Sequence, residues 1–284
     1  MRNRFVALLG AEVRIGLAKN ALSVVRFGMF AKSSTILLDE EATDDLSAQL
    51  LGERCRTALT ETSSAGLPLS ITLGDELVRL FMVTPPQNAA RLQDLSAAAN
   101  LRFQSLYGEP PRDWHVDADW QTGKPFLACA VPRALVEHCR DLARQMRMPL
   151  VALQPQFVAA WNTACRDLVR AKDQTWLGVL HGHNLSLGIV TAKPQRHLSA
   201  VRCLTLPAGK ADLDWLQDQI LRAAMQAGVG AADSILLAGD ARNEWTELQN
   251  PRFKVTHLKN AAVPDIQQRR PKSDSSPAAE VTSA

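Results

Sequence analysis

The sequence predicts an α/β protein with mixed sheets, in which one β-β-β-α-β unit is used twice to form two lobes. Three observations predict it. The chain has 284 residues, of which 46% are apolar, enough for about two domains with sizeable cores. Short strand-like apolar runs and helix-period stripes follow one another in the same order in both halves. In each half roughly 50 residues separate the first turn from the closing strand.

The first half opens with apolar segments at 13–17 and 22–27 around a polar Lys19-Asn20 turn, the pattern of a hairpin. A third strand-like run covers 35–38. A helical stripe of Leu46, Leu50, Cys55 and Leu59 follows. Gly66 and Pro68 stop it, and 69–73 reads as a strand. The second half repeats this. Segments 176–180 and 185–190 flank the turn sequence His181-Gly182-His183-Asn184. A strand at 200–206 leads to a helix with Leu213, Leu216, Ile220, Ala223 and Ala227 on one stripe; Gly228 and Gly230 end it before a strand at 234–238.

Between the halves, 87–107 carries Leu92, Leu95, Ala99, Phe103 and Leu106 at helical spacing, closed by Gly108, Pro110 and Pro111. Segments 113–120 and 125–131 read as strands around a Gln121-Thr122-Gly123-Lys124 turn. Pro132 and Pro155 each suit the start of a helix, where a missing N–H has no partner to lose. The chain therefore divides into a lobe over 1–154 with an inserted helix-strand-strand subdomain at about 87–131, a second lobe over 155–262, and a tail over 263–284. The tail has no aromatic residue from 267 onward and too little apolar surface to order itself.

Composition removes several functional classes. The 32 basic and 29 acidic residues leave a formal charge of +3, which gives no overall nucleic-acid footprint. No apolar run approaches the roughly 18 residues that span a bilayer. After Met1-Arg2-Asn3-Arg4 the apolar run is only seven residues long, followed by Glu12 and Arg14 without a signal-type cleavage site. Cys55, Cys129, Cys139, Cys165 and Cys203 are odd in number and lack C-x-x-C spacing, which points to a reducing cytoplasm.

This order of elements resembles the ground plan of the actin-like ATPase/sugar-kinase superfamily, with its duplicated RNase H-like units. Within it, Leu69-Ser-Ile-Thr-Leu73, Val78-Arg-Leu-Phe-Met-Val83 and Thr84-Pro85-Pro86 resemble the strand–strand–Pro–helix passage of the PilM and type II secretion L-component families. Phe126-Leu-Ala-Cys-Ala130, Leu150-Val-Ala-Leu-Gln-Pro155 and Ile235-Leu-Leu-Ala-Gly-Asp240 resemble their middle strand, crossover and adenosine-side turn. The resemblance covers about 13–256.

Active members of that superfamily carry a carboxylate and a glycine in each phosphate hairpin, to hold hydrated magnesium and to admit phosphate to the backbone N–H groups. The first hairpin here has Gly16 but Arg14 in the acid's place, with Lys19 at the turn; the second has Gly182 between His181 and His183. The adenosine-side turn keeps one glycine, Gly239, before Asp240. These eight residues mark a degenerate nucleotide cleft, with no catalytic residue, no metal and no cofactor expected, and ATP binding without turnover left open. The resemblance implies an adaptor at the cytoplasmic face of a bacterial inner membrane, in a type IV pilus or type II secretion platform. Its partners would be the cytoplasmic peptide of a single-span membrane protein and other platform components, with no nucleic acid. Two alternatives stand: an active ATPase or kinase of the same superfamily, and a stand-alone α/β binding protein.

Other residues read more simply. His181 and His183, with His197 nearby, could hold a metal but lack a Cys or carboxylate at ligand spacing, and solvent-facing turn residues are the plainer reading. No G-x-S-x-G elbow marks a nucleophile, and His138 reads as a surface histidine. Arg140, Arg144 and Arg147, with Asp141 among them, read as a solvated helix face; Gln268-Arg-Arg-Pro-Lys272 could touch an anionic membrane weakly. Trp114 and Trp120 fall on one strand face, as core or as a partner platform.

Overall fold

A computed structural model describes residues 11–19, 21–28, 34–41, 48–61, 64–171, 173–191, 197–207, 211–240, 245 and 253–258. The expected tail, the N-terminal residues 1–10, Asn20 and Leu46 lie outside them.

The first sheet begins with the expected hairpin. Strands β1 (Glu12–Leu17) and β2 (Ala21–Phe27) pair antiparallel, and the Ala18 amide donates to Ala21 O at 2.8 Å across the turn. β3 (Ser34–Glu41) adds to β2, and helix α1 (Ala48–Glu61) carries the chain to β4 (Leu69–Leu73), parallel to β1. β5 (Arg79–Val83) leaves this sheet, whereas β8 (Leu150–Pro155) returns as its outer strand, in the order β3-β2-β1-β4-β8.

The second sheet has the same plan. β9 (Thr175–His181) and β10 (Asn184–Val190) form the hairpin, followed by β11 (Leu198–Thr205), helix α5 (Leu213–Ala227) and β12 (Ser234–Gly239), parallel to β9. β13 (Lys254–His257) completes the order β11-β10-β9-β12-β13. The duplication read from the sequence is thus a repeat of sheet order and register. β13 was not expected: it is four residues long, with only Val255 as an apolar signal.

The segment expected as a helix-strand-strand insertion supplies helix α2 (Leu92–Tyr107), β6 (Trp114–Ala118) and β7 (Phe126–Pro132), and β5, which precedes it, completes their antiparallel sheet in the order β5-β7-β6. Helix α2 starts at Leu92, the first residue of the apolar stripe and five residues into the segment 87–107. Asn88 takes a positive φ of 67°, breaking any helix there, and the Asp94 carboxylate then accepts the Arg91 amide at 3.2 Å to cap the true start. Trp114 packs 5.2 Å from Phe103 and Trp120 5.8 Å from Phe126, so both tryptophans belong to this core. They do not share a strand face, because β6 ends at Ala118. The Asp117 carboxylate accepts the Ala118 amide at 2.8 Å and the Trp120 indole N–H at 3.2 Å, a local bond that competes with the ladder.

Helix α3 (Arg133–Gln145) packs on α1 and the inserted sheet, and helix α4 (Gln156–Arg170) joins the two large sheets by packing on β4, β8 and β9. Phe157, at 0% exposure, sits in the core that links them.

Candidate functional site

Ligands of open α/β sheets bind outside the carboxyl ends of the parallel strands. Here those ends carry the two hairpin turns. At the first, β4 runs past the end of β1, and the Gly74 amide donates to Leu17 O at 2.6 Å. A single 3-10 turn, Asp75–Leu77, folds the chain back, closed by the Leu77 amide on Gly74 O at 3.0 Å. This carries the Glu76 carboxylate to the turn, where Oε1 accepts the Lys19 amide at 2.8 Å.

At the second turn, the Asp240 amide donates to Leu180 O at 2.8 Å, and Asp240 Oδ2 accepts the Gly182 amide at 2.6 Å. Gly182 has φ +54°, the left-handed conformation that a two-residue hairpin requires at its first central position. Gly239 has φ +88°, and a Cβ there would lie 2.0 Å from Leu180 O, so glycine is obligatory. The two turns match bond for bond: in each, the amide two residues beyond the leucine donates to a carboxylate supplied by the segment after the parallel strand.

The structure brings four of the eight candidate residues, His181, Gly182, Gly239 and Asp240, into one cluster; His181 Nδ1 lies 3.8 Å from Asp240 Oδ2. Lys19 stands at the other turn. His183 is exposed, and its carbonyl accepts the Leu206 amide at 2.7 Å. Arg14 and Gly16 lie within β1, Gly16 buried beside Thr72 and Ser23 in register. The Arg14 guanidinium donates to Glu12 at 2.7 Å and stacks 4.5 Å over the Phe27 ring. His197 bonds Thr191 at the far end of β10 from the His181–His183 turn, which separates it from those two histidines.

Sequence reading missed Asp75 and Glu76. No motif marks them: the dipeptides Gly74-Asp75 and Gly239-Asp240 are out of step by one residue, since Gly74 and Asp240 are the residues whose amides bond the turn leucines. Asp75 is buried and ties the end of the first sheet to the helix that bridges both large sheets: Oδ1 accepts the Phe157 amide at 2.9 Å. That amide is in the first turn of α4, whose N-cap, Pro155, has no side-chain acceptor of its own, so Asp75 is the cap. Burial pushes its carboxyl up to about 6, against the opposing pull of the Phe157 amide and the Ser186 hydroxyl; the Glu76 charge adds to the rise.

A second concave surface, of about 620 Å³, opens where β8 and β6 face each other. Each is the outer strand of its sheet. On β6 the Trp114 amide donates to Pro111 O, the Trp114 carbonyl accepts from Arg133 at 3.2 Å and the Ala118 amide donates to Asp117 Oδ1 at 2.8 Å, so the edge open to pairing is that of β8. Val151 and Leu153 of β8, Val136 of α3 and Val158 of α4 give an apolar lining, with Asp117 and Arg140 as charged groups. Val151 is 59% exposed.

Neither a family model nor a curated protein matches the chain. Among solved structures it is similar to a Bacteroides thetaiotaomicron protein with an actin-like ATPase fold and unknown function. The TM-score is 0.60 at 10% identity, over 92% of this chain and 95% of that one. It is also similar to the cytoplasmic domain of EpsL, an inner-membrane component of the type II secretion system of Vibrio cholerae, with a TM-score of 0.55 at 11% identity over 87% and 90% of the two chains. A PilM–PilN type IV pilus biogenesis complex matches with a TM-score of 0.49 at 16% identity, over 76% and 67%. The chain has the actin-like ATPase fold. Among the described residues no helix is long and apolar enough to cross a membrane.

Proposed function

We propose that this chain is an adaptor at the cytoplasmic face of a bacterial inner membrane, in a type II secretion or type IV pilus platform. It binds the cytoplasmic segment of a single-span membrane protein and does not hydrolyse ATP. The observation that carries this reading is the groove between β8 and β6. The outer edge of β8, beside a groove with an apolar lining and with β6 on its other wall, is suited to an extended peptide that adds as a strand. β8 is six residues long, so a docked peptide pairs over about that length. The match to the EpsL cytoplasmic domain over 87% of the chain supports the same setting.

The test is calorimetry with a synthetic peptide of the cytoplasmic segment of a single-span inner-membrane protein of such a platform. Micromolar binding, lost when Val151 is changed to Lys, is the expected result. Unaltered binding by the variant overturns the groove.

A second reading, an ATPase or kinase, draws on Asp75, Glu76 and Asp240, which bring carboxylates to the strand ends from outside the hairpins. Magnesium-dependent release of phosphate from ATP, abolished by Asp75→Ala, would favour it over the adaptor.

A further inference from the structure

Backbone N–H groups at exposed turns, pointing outward from the carboxyl ends of parallel strands, are anion-binding groups by geometry. Each turn in this chain offers such a group, Lys19 N at one and Gly182 N at the other. Both are already bonded to an anion, and that anion is part of the chain: Glu76 at 2.8 Å and Asp240 at 2.6 Å. The two carboxylates arrive by different routes: Asp240 on the residue whose own amide bonds Leu180 O, and Glu76 on the 3-10 turn two residues beyond the Gly74 amide that bonds Leu17 O. Charge-assisted bonds of this kind are short and strong. Any phosphate approaching either turn must displace a tethered carboxylate and meet its charge at close range.

We propose that Glu76 and Asp240 are built-in ligands of the two turns, which fill the amide positions that a polyphosphate would use and so close the cleft to nucleotides. The carboxylates take the anion's place. This departs from the expectation that lost acids alone disable the cleft: acids are present, and their position on the amides is what excludes phosphate. The device is independent of the β8–β6 groove, and peptide binding there can fail without touching it.

Two substitutions empty the turns. Glu76→Ala with Asp240→Ala removes both carboxylates. Gly74→Ala keeps every charge but places a Cβ 2.5 Å from Glu76 Oε1, pushing the flexible carboxylate off Lys19 alone. The experiment follows the amide resonances of Lys19 and Gly182 in protein labelled with [15N]lysine and [15N]glycine during titration with millimolar pyrophosphate and then with Mg-ATP. The expected result is no movement in the parent chain, saturable movement of both amides in the double variant, and movement of Lys19 only in Gly74→Ala. The proposal is overturned if both parent amides titrate with pyrophosphate as the double variant's do. It is also overturned if the double variant, unfolding cooperatively like the parent, leaves both amides unmoved. Peptide calorimetry on the same samples reports separately on the groove.

Discussion

The Gly182 amide and the Asp240 carboxylate meet at 2.6 Å, and this bond exists because the preceding residue, Gly239, turns the chain at φ +88°. No side chain fits at that position, since a Cβ at residue 239 would stand 2.0 Å from the Leu180 carbonyl oxygen. That oxygen belongs to the central strand β9 and cannot move cheaply. Gly239→Ala is therefore expected to lower stability by about 3 kcal/mol, from positive-φ strain and the backbone clash together. Urea unfolding measures it. Asp240→Ala, which keeps the backbone turn, is expected to cost about 1–2 kcal/mol. A loss for Gly239→Ala no larger than for Asp240→Ala would mean that the turn is not fixed as described.

Asp75 gives the protein a pH dependence of definite sign. Its carboxyl is pushed up to about 6 by burial, against roughly 4 in an unfolded chain. The native state therefore holds this proton more tightly than the unfolded state does. Its contribution to stability is full below about pH 4, declines as pH rises toward 6 and is level above that, a total of roughly 3 kcal/mol. Asp75→Asn keeps an oxygen for the Phe157 amide and cannot ionise. The difference in unfolding free energy between parent and variant, measured from pH 4 to 8, should move in the variant's favour as pH rises. A flat difference would place Asp75 in contact with water.

Much of this was readable beforehand wherever the determinants are local. Helix α5 begins one residue after Asp212, whose carboxylate accepts the Trp215 amide at 3.0 Å, and ends at Gly228 with φ +64°. A stripe, a cap and a terminal glycine state such a helix in the sequence itself. The hairpin β9–β10 follows in the same way from Gly182. Glu76 was not readable, because its place at the Lys19 turn depends on the parallel register of β4 against β1, which sets residues more than fifty positions apart side by side. Arg14 lies in the strand, as the apolar segment 13–17 implies, but its stacking on Phe27 was not readable either, because it depends on the pairing of β1 with β2. Half of the candidate cluster, the part around His181 and Asp240, lay close enough to one turn for sequence alone to find it.

Phe157 couples the two large sheets through close packing as well as through its amide. Its ring stacks near Trp161 at 6.5 Å, and a Cβ added to Gly188 of β10 would reach it at 2.8 Å. Gly188→Ala is expected to cost about 1–3 kcal/mol by overpacking, and Phe157→Leu a similar amount by leaving a partial cavity. Combined, they should cost less than their sum, because the smaller side chain makes room for the added methyl. A thermal-unfolding double-mutant cycle reads this. Strict additivity would mean that the two residues do not share a contact.

The groove can be tested without disturbing the fold, because Val151 is 59% exposed on an outer strand. Val151→Lys should change stability by no more than about 0.5 kcal/mol. It places a charged, strongly hydrated head where a docked strand would pack, so partner-peptide affinity should fall about tenfold or more, a loss of at least roughly 1.4 kcal/mol. Leu221 of α5 supplies the control: it is 52% exposed and does not line the groove. Leu221→Lys should leave the affinity unchanged. If instead Leu221→Lys weakens the peptide and Val151→Lys does not, the partner docks on the outer face of α5, and the outer edge of β8 serves another purpose.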